Sequence, residues 1–206
     1  MERALTRFGP NQMMYDLGID IDLTTSNEEI RTEIEKLDRL FHIVLIAEHL
    51  DESLILMKEL FCWDFQDIVF FDKNVRKTNY VFPLTLDQIE TLNTINHADV
   101  QLYEHFLDKH KEAVLDFGAD EMEYQVNVLK YYKEAVFTTC GIRYEYNFDV
   151  DSLFKEYSDK VISYVPDCET CEDDCTLLSL PENTMLRLLR DKMRKLHSKD
   201  HVRDEA

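Results

Sequence analysis

The hydrophobic pattern changes period several times along this chain, and each change predicts an element. Ile30, Ile34, Leu37 and Phe41 recur at helical spacing and form one apolar stripe. Ser26 followed by Glu29 has the arrangement of a capping box, so a helix is expected to start there and end near Phe41. The period then switches. His42 to Ala47 reads HIVLIA, a short β-branched run of the kind that forms a buried strand in a parallel sheet. Asp51 is a candidate N-cap for a following helix with Leu54, Met57 and Phe61 on one face. Asp67 to Phe71, DIVFF, predicts a second buried strand. Strand, helix, strand implies a right-handed crossover and a parallel pair.

Helical spacing dominates from Thr85 to Cys140. Thr85 and Gln88 form another capping box, with Leu86, Ile89, Leu92 and Ile95 behind it. Asp99 is expected to cap a helix carrying Val100, Tyr103, Phe106 and Leu107, which Gly118 stops. Ala119 to Cys140 reads as a long amphipathic helix. Residues 143–175 are acidic and irregular, and a last helix is expected from Pro181 to Lys199, with Leu186, Leu189, Met193 and Leu196 on one face. The chain thus divides into an α/β portion at 1–140, an acidic Cys-containing irregular segment at 141–180, and an amphipathic helix and tail at 181–206.

Composition narrows the function classes. Lys+Arg 23 against Asp+Glu 42 gives a net charge of −19, which excludes nucleic acid and anionic membrane as partners drawn by a general positive field. Any anion must be held by a local cation cluster. The apolar runs fall short of the roughly 18 residues that a membrane span needs, and Met1 to Pro10 lacks the apolar core of a signal peptide. Cys168, Cys171 and Cys175 form a C-x2-C-x3-C cluster that His197 and His201 could complete as a metal site. No fourth ligand lies close in sequence, so disulfides or free thiols of an extracytoplasmic protein are the preferred reading, and no metal is expected.

Two segments come directly after the predicted strands, where open α/β sheets bind ligands. Glu48-His49-Leu50-Asp51-Glu52 places three carboxylates and an imidazole at a helix start. Glu48 or His49 could move a proton or bind sugar hydroxyls, whereas Asp51 and Glu52 there also serve the helix dipole. The second segment, Lys73 to Asn79, is the most basic stretch of the first hundred residues. Its Arg76, Lys77 and Thr78 suit a phosphate, although a solvated surface loop has the same composition. Gly-rich phosphate loops, a Gly-x-Ser-x-Gly elbow and HExxH are all absent from the sequence. His97, His105 and His110 fall in helical sequence and read as half-buried or surface side chains rather than ligands.

These residues carry a resemblance. NQMMYDLGID (Asn11 to Asp20) and FHIVLIAEHLDESLILMKELFCWDFQDIVFF (Phe41 to Phe71) resemble the galactose 3-O-sulfotransferase family in order and spacing. VRKTNYVFPLTLDQIETLNTINHADVQLYEHF also resembles the wider glycan sulfotransferases, including the uronyl 2-O-sulfotransferases. The resemblance covers about residues 8–140, fades over 141–180, returns weakly in the last helix, and does not extend to CETCEDDC. It implies a partial P-loop nucleotide-kinase-like fold, with parallel strands, flanking helices and a helical C-terminal half. It implies transfer of a sulfonate from 3′-phosphoadenylyl sulfate to the 3-hydroxyl of galactose on galactosylceramide or glycoprotein glycans, in a Golgi membrane protein facing the lumen. By the same resemblance Arg76, Lys77 and Thr78 approach the nucleotide, and Glu48, Asp51, Glu52 and Ser53 form the turn beside the acceptor cleft. Cys62 and Trp63 are structural, and Asp99 and Tyr103 are scaffold near the nucleotide. The family's phosphosulfate loop, 3′-phosphate site, general base and membrane anchor are expected N-terminal to these residues. The alternative is a non-catalytic sulfotransferase-like domain that binds a glycan or a protein.

Overall fold

The computed structural model describes residues 9–146, 151–167 and 173–203. Its contacts form two compact units, Met1–Ile68 with Pro83–Val128, and Val69–Phe82 with Leu129–Ala206.

The first unit is helical: α1 (Gln12–Asp16), α2 (Asn27–Leu40), α3 (Leu50–Phe61), α4 (Leu86–Ile95), α5 (His97–Phe117) and the start of α6 (Ala119–Thr139). Both capping boxes form as their sequences require. Ser26 Oγ accepts from Glu29 N while Glu29 accepts from Ser26 N, and Thr85 and Gln88 do the same at α4. Ile30, Ile34 and Leu37 of α2 pack against Ala98, Leu102 and Phe106 of α5, with Met14, Ile21 and Ile46 completing the core. Burial of each large aliphatic side chain contributes roughly 2 kcal/mol. Gly118 ends α5 at φ +100°, as its position predicts.

Asp99 does not cap its own helix, which begins two residues earlier. Its carboxylate instead accepts from the backbone N–H of Met13 and Met14, both at 2.9 Å, at the start of α1. Asn11 reciprocates: its Oδ1 accepts from Ala98 N at 3.0 Å and Asp99 N at 3.4 Å, at the start of α5. The two helix starts therefore cap each other, each satisfying donors that a helix cannot satisfy itself. Asp51 is likewise not an N-cap. His49 holds that position in α3 and Asp51 sits in the first turn; the face that α3 buries is Ser53, Leu54, Ile55 and Lys58 rather than Leu54, Met57 and Phe61.

The two strands predicted from apolar runs are not strands among the described residues. Residues 42–46 run without a ladder partner into a 3-10 turn, Ala47–His49. Ile46 is buried, and Ser53 Oγ accepts its N–H at 3.0 Å, so a side chain takes the place of a neighbouring strand. DIVFF is divided between the units: Asp67 and Ile68 end a 3-10 turn, Phe65–Ile68, in the first, and Phe71 enters the core of the second. Within residues 42–47 Ile46 is buried while His42, Leu45 and Ala47 are exposed, so neither the burial nor the ladder expected of that run is found, and the expected parallel pair and crossover do not form.

The second unit holds the sheet found among the described residues: β1 (Ile142–Glu145) and β2 (Ser163–Pro166), antiparallel, with Ile142 opposite Pro166 and Glu145 opposite Ser163. It lies within the stretch read from sequence as irregular, because four-residue strands with one or two inward side chains leave little periodicity. Tyr164 stacks on Phe71, and Phe137 meets Phe71 edge to face, with centroids 5.6 Å apart in each pair. A disulfide joins Cys140, after α6, to Cys175 in α7 (Asp173–Ser179). The last helix, α8 (Glu182–Arg203), has the predicted stripe, but Leu186, Leu189, Met193 and Leu196 are all exposed.

Candidate functional site

In the first unit, the turn Ala47–His49 and the first turn of α3 present Glu48, His49, Asp51 and Glu52. Glu48 is exposed and lines an apolar groove of about 480 Å³ with Phe41, Leu45, Leu102, Tyr103 and Phe106. Asp51 is half-buried. His49 and Glu52 come together with His110 of α5, a residue whose helical sequence context pointed away from a ligand role. His49 Nδ1 is 3.1 Å and His110 Nε2 3.0 Å from the same Glu52 Oε2, and the imidazole centroids are 5.3 Å apart. His110 is buried, whereas His49 is exposed. A signal for His110 was present: Ala98, Leu102, Phe106 and His110 are spaced by four and share the buried face of α5. A histidine on such a line must find a polar partner from another element.

A smaller cavity of about 220 Å³ lies beside His110, lined by Asp38, His42 and Lys109 among others. Lys109 Nζ donates to Asp38 Oδ2 at 3.0 Å, and this hydrogen bond holds the Asp38 carboxyl below the usual carboxylate range.

The basic segment lies in the second unit, and its cations have different surroundings. Arg76 bridges Val161 through its backbone, with Lys77 N donating to Lys160 O at 2.8 Å and Ile162 N to Val75 O at 3.0 Å, while the Arg76 side chain is exposed. Lys77 Nζ donates to Tyr146 O at 2.6 Å and also to Asp159 O. Thr78 begins the 3-10 turn Thr78–Tyr80, and Lys77, Thr78, Tyr80 and Tyr146 line a cavity of about 550 Å³. Lys73 turns inward: its Nζ is buried without a hydrogen-bond partner, 4.6 Å from the Tyr164 ring centroid. Burial pushes its pKa down to about 8, against the opposing pull of the Glu156 carboxylate. Glu156, with Oε1 buried and unpaired, is raised by the same desolvation.

The cysteine cluster does not act as one metal site, because the Cys175 sulfur is bonded to Cys140. Cys168 and Cys171 lie outside the described residues, as do the side chains of His197 and His201. Cys62 is exposed and free, and occupies the left-handed C-cap of α3 at φ 53°. Trp63 stacks on Phe61 at 5.0 Å.

A family model described as galactose-3-O-sulfotransferase matches residues 2–146. The chain therefore belongs to the galactose-3-O-sulfotransferase family, whose curated relatives are named as sulfotransferases. It is 34% identical over 130 residues to galactosylceramide sulfotransferase of Bos taurus and of Homo sapiens, covering 63% of this chain and 31% of each relative. Against galactose-3-O-sulfotransferase 2 of Homo sapiens it is 36% identical over 99 residues, 48% of this chain and 25% of the relative. The chain thus spans under a third of the length of these relatives. No solved structure matches.

Proposed function

We propose that this chain is part of an enzyme that moves a sulfonate group from 3′-phosphoadenylyl sulfate to the 3-hydroxyl of galactose. The family match over residues 2–146 carries the reading. The relatives named galactosylceramide sulfotransferase favour a galactose-bearing glycolipid as acceptor, with glycoprotein glycans next.

The donor is held through the second unit. Arg76 offers an exposed guanidinium, Thr78 a hydroxyl, and Lys77 an ammonium engaged by two backbone carbonyls beside a cavity of about 550 Å³. This donor set fits a phosphate group, and in a chain of charge −19 it is a local exception. When bound, the nucleotide supplies the activated sulfonate. The acceptor is received in the first unit, where the groove edged by Glu48 combines apolar and aromatic walls with a carboxylate that can accept sugar hydroxyls. Glu48 stands at that edge to accept sugar hydroxyls, with Asp51 and Glu52 in the next turn, while the general base belongs to the N-terminal part of the family's domain. The Cys140–Cys175 disulfide is in keeping with an oxidising compartment such as the Golgi lumen.

The test uses the full-length gene product. Calorimetric binding of 3′,5′-adenosine bisphosphate is expected to weaken at least about tenfold, or ~1.4 kcal/mol, in Arg76→Ala combined with Thr78→Val. Both side chains are exposed, so an unchanged melting curve certifies the fold. Unchanged affinity would remove the donor assignment. A protein that binds galactosylceramide but transfers no labelled sulfate to it would support the non-catalytic, glycan-binding reading instead.

A further inference from the structure

His49 and Glu52 stand three residues apart, so the first turn of α3 brings them to one side. His110 reaches the same point from α5. One ligand atom from each, two imidazole nitrogens and one carboxylate oxygen, lies within 4.8 Å of the others. Tetrahedral coordination at about 2.0–2.2 Å separates neighbouring ligand atoms by roughly 3.4 Å. The 3.0 and 3.1 Å nitrogen–oxygen separations need to open by a few tenths of an ångström to admit an ion, with the two nitrogens, which lie within 4.8 Å of each other, brought to the same spacing. We propose that His49, Glu52 and His110 form a binding site for a divalent transition-metal ion, with zinc the best fit.

The chemistry of the set supports a borderline-soft cation over magnesium or calcium, because nitrogen supplies two of its three ligands. The exposure gradient matches an open site. His110 is 3% exposed and anchors the ion from the helix core, while His49 at 44% and Glu52 at 35% leave a further coordination position toward water. The expectation of no metal, drawn from sequence alone, set His110 aside as a helical side chain. The site shares Glu52 with the turn proposed to receive the acceptor, and it is tested by metal binding without an activity assay, so its failure and that of the sulfonate-transfer reading are distinguishable.

The full chain is stripped with a chelator, its free thiols are blocked with N-ethylmaleimide, and zinc binding is titrated by calorimetry. Cobalt substitution is followed by visible d–d absorption. The parent is expected to show one site that binds zinc at least tenfold more tightly than either His49→Ala or Glu52→Gln, and tetrahedral cobalt bands that both variants lose. His49→Ala and Glu52→Gln change solvent-facing groups, so metal-free melting curves matching the parent confirm their folds. His110→Ala is expected to lose binding too, but its buried position makes the other two variants decisive. Zinc binding by both variants with the parent's affinity overturns the proposal, as does a parent without such a site. Magnesium that displaces zinc at equal concentration would also overturn it.

Discussion

Asn11 shows how one residue can determine the joining of two helices. It adopts φ 53°, is fully buried, and its Oδ1 receives two N–H groups from the start of α5. Asn11→Ala removes that acceptor and puts in the left-handed region a residue that tolerates it less well than asparagine, for a combined loss of about 2–4 kcal/mol. Asn11→Gly loses the acceptor without that backbone strain and is expected to be about 1 kcal/mol milder in urea denaturation. Equal losses would show that the backbone geometry is not strained. Lys73 and Glu156 show a different residue-scale effect. Because burial lowers the Lys73 pKa to about 8, the folded state binds fewer protons than the unfolded state between about pH 8 and the ordinary lysine value of 10.5. Stability therefore rises with pH across that window. Tyr164, whose pKa burial raises, opposes this only above about pH 10, and Glu156 acts at lower pH, where its raised pKa favours the fold under acid conditions. Melting temperatures at pH 8, 9 and 10 are expected to climb for the parent and stay level for Lys73→Met. A flat parent curve would contradict the buried-lysine account.

At the scale of elements, locally encoded features were legible and distantly encoded ones were not. The capping boxes at Ser26 and Thr85 and the stop at Gly118 form where the residues place them, since each is decided within four positions. DIVFF was legible as buried at Ile68 and Phe71, whereas in HIVLIA Ile46 is buried and His42, Leu45 and Ala47 are exposed; both were misread as strands, because a ladder needs a partner that local sequence does not name. β1 and β2 escaped notice for the complementary reason: their pairing joins residues about twenty positions apart with almost no periodic signal. The Cys140–Cys175 bond closes a loop of sequence separation 35. By chain entropy it is worth about 3–4 kcal/mol, so the double variant Cys140→Ala, Cys175→Ala is expected to lose that much in denaturant unfolding. Peptide mapping without reductant is expected to recover the two cysteines in one linked fragment, and recovery of two separate thiol peptides would refute the pairing.

For the whole molecule, the charge of −19 is a solubility and repulsion term, and it makes the placement of a few cations decisive. Lys73, Arg76 and Lys77 look equivalent in sequence, yet Lys73 faces the core, Lys77 is engaged by two carbonyls, and the Arg76 side chain faces water. The same holds for α8, whose predicted stripe has the right period and remains exposed, since period specifies a face and not what meets it.

What the sequence determined by itself was family, most of the longer helices, and the caps at Ser26 and Thr85 with the stop at Gly118. All of these are carried by neighbours in the chain or by ordered motifs such as Asn11–Asp20 and Phe41–Phe71. Only the tertiary structure decided which groups meet. Glu52 and His110 are separated by 58 positions, Asn11 and Ala98 by 87, and Cys140 and Cys175 by 35. Such pairs are selected by packing of whole helices and by the need of buried polar groups for partners, and neither leaves a signature in local spacing.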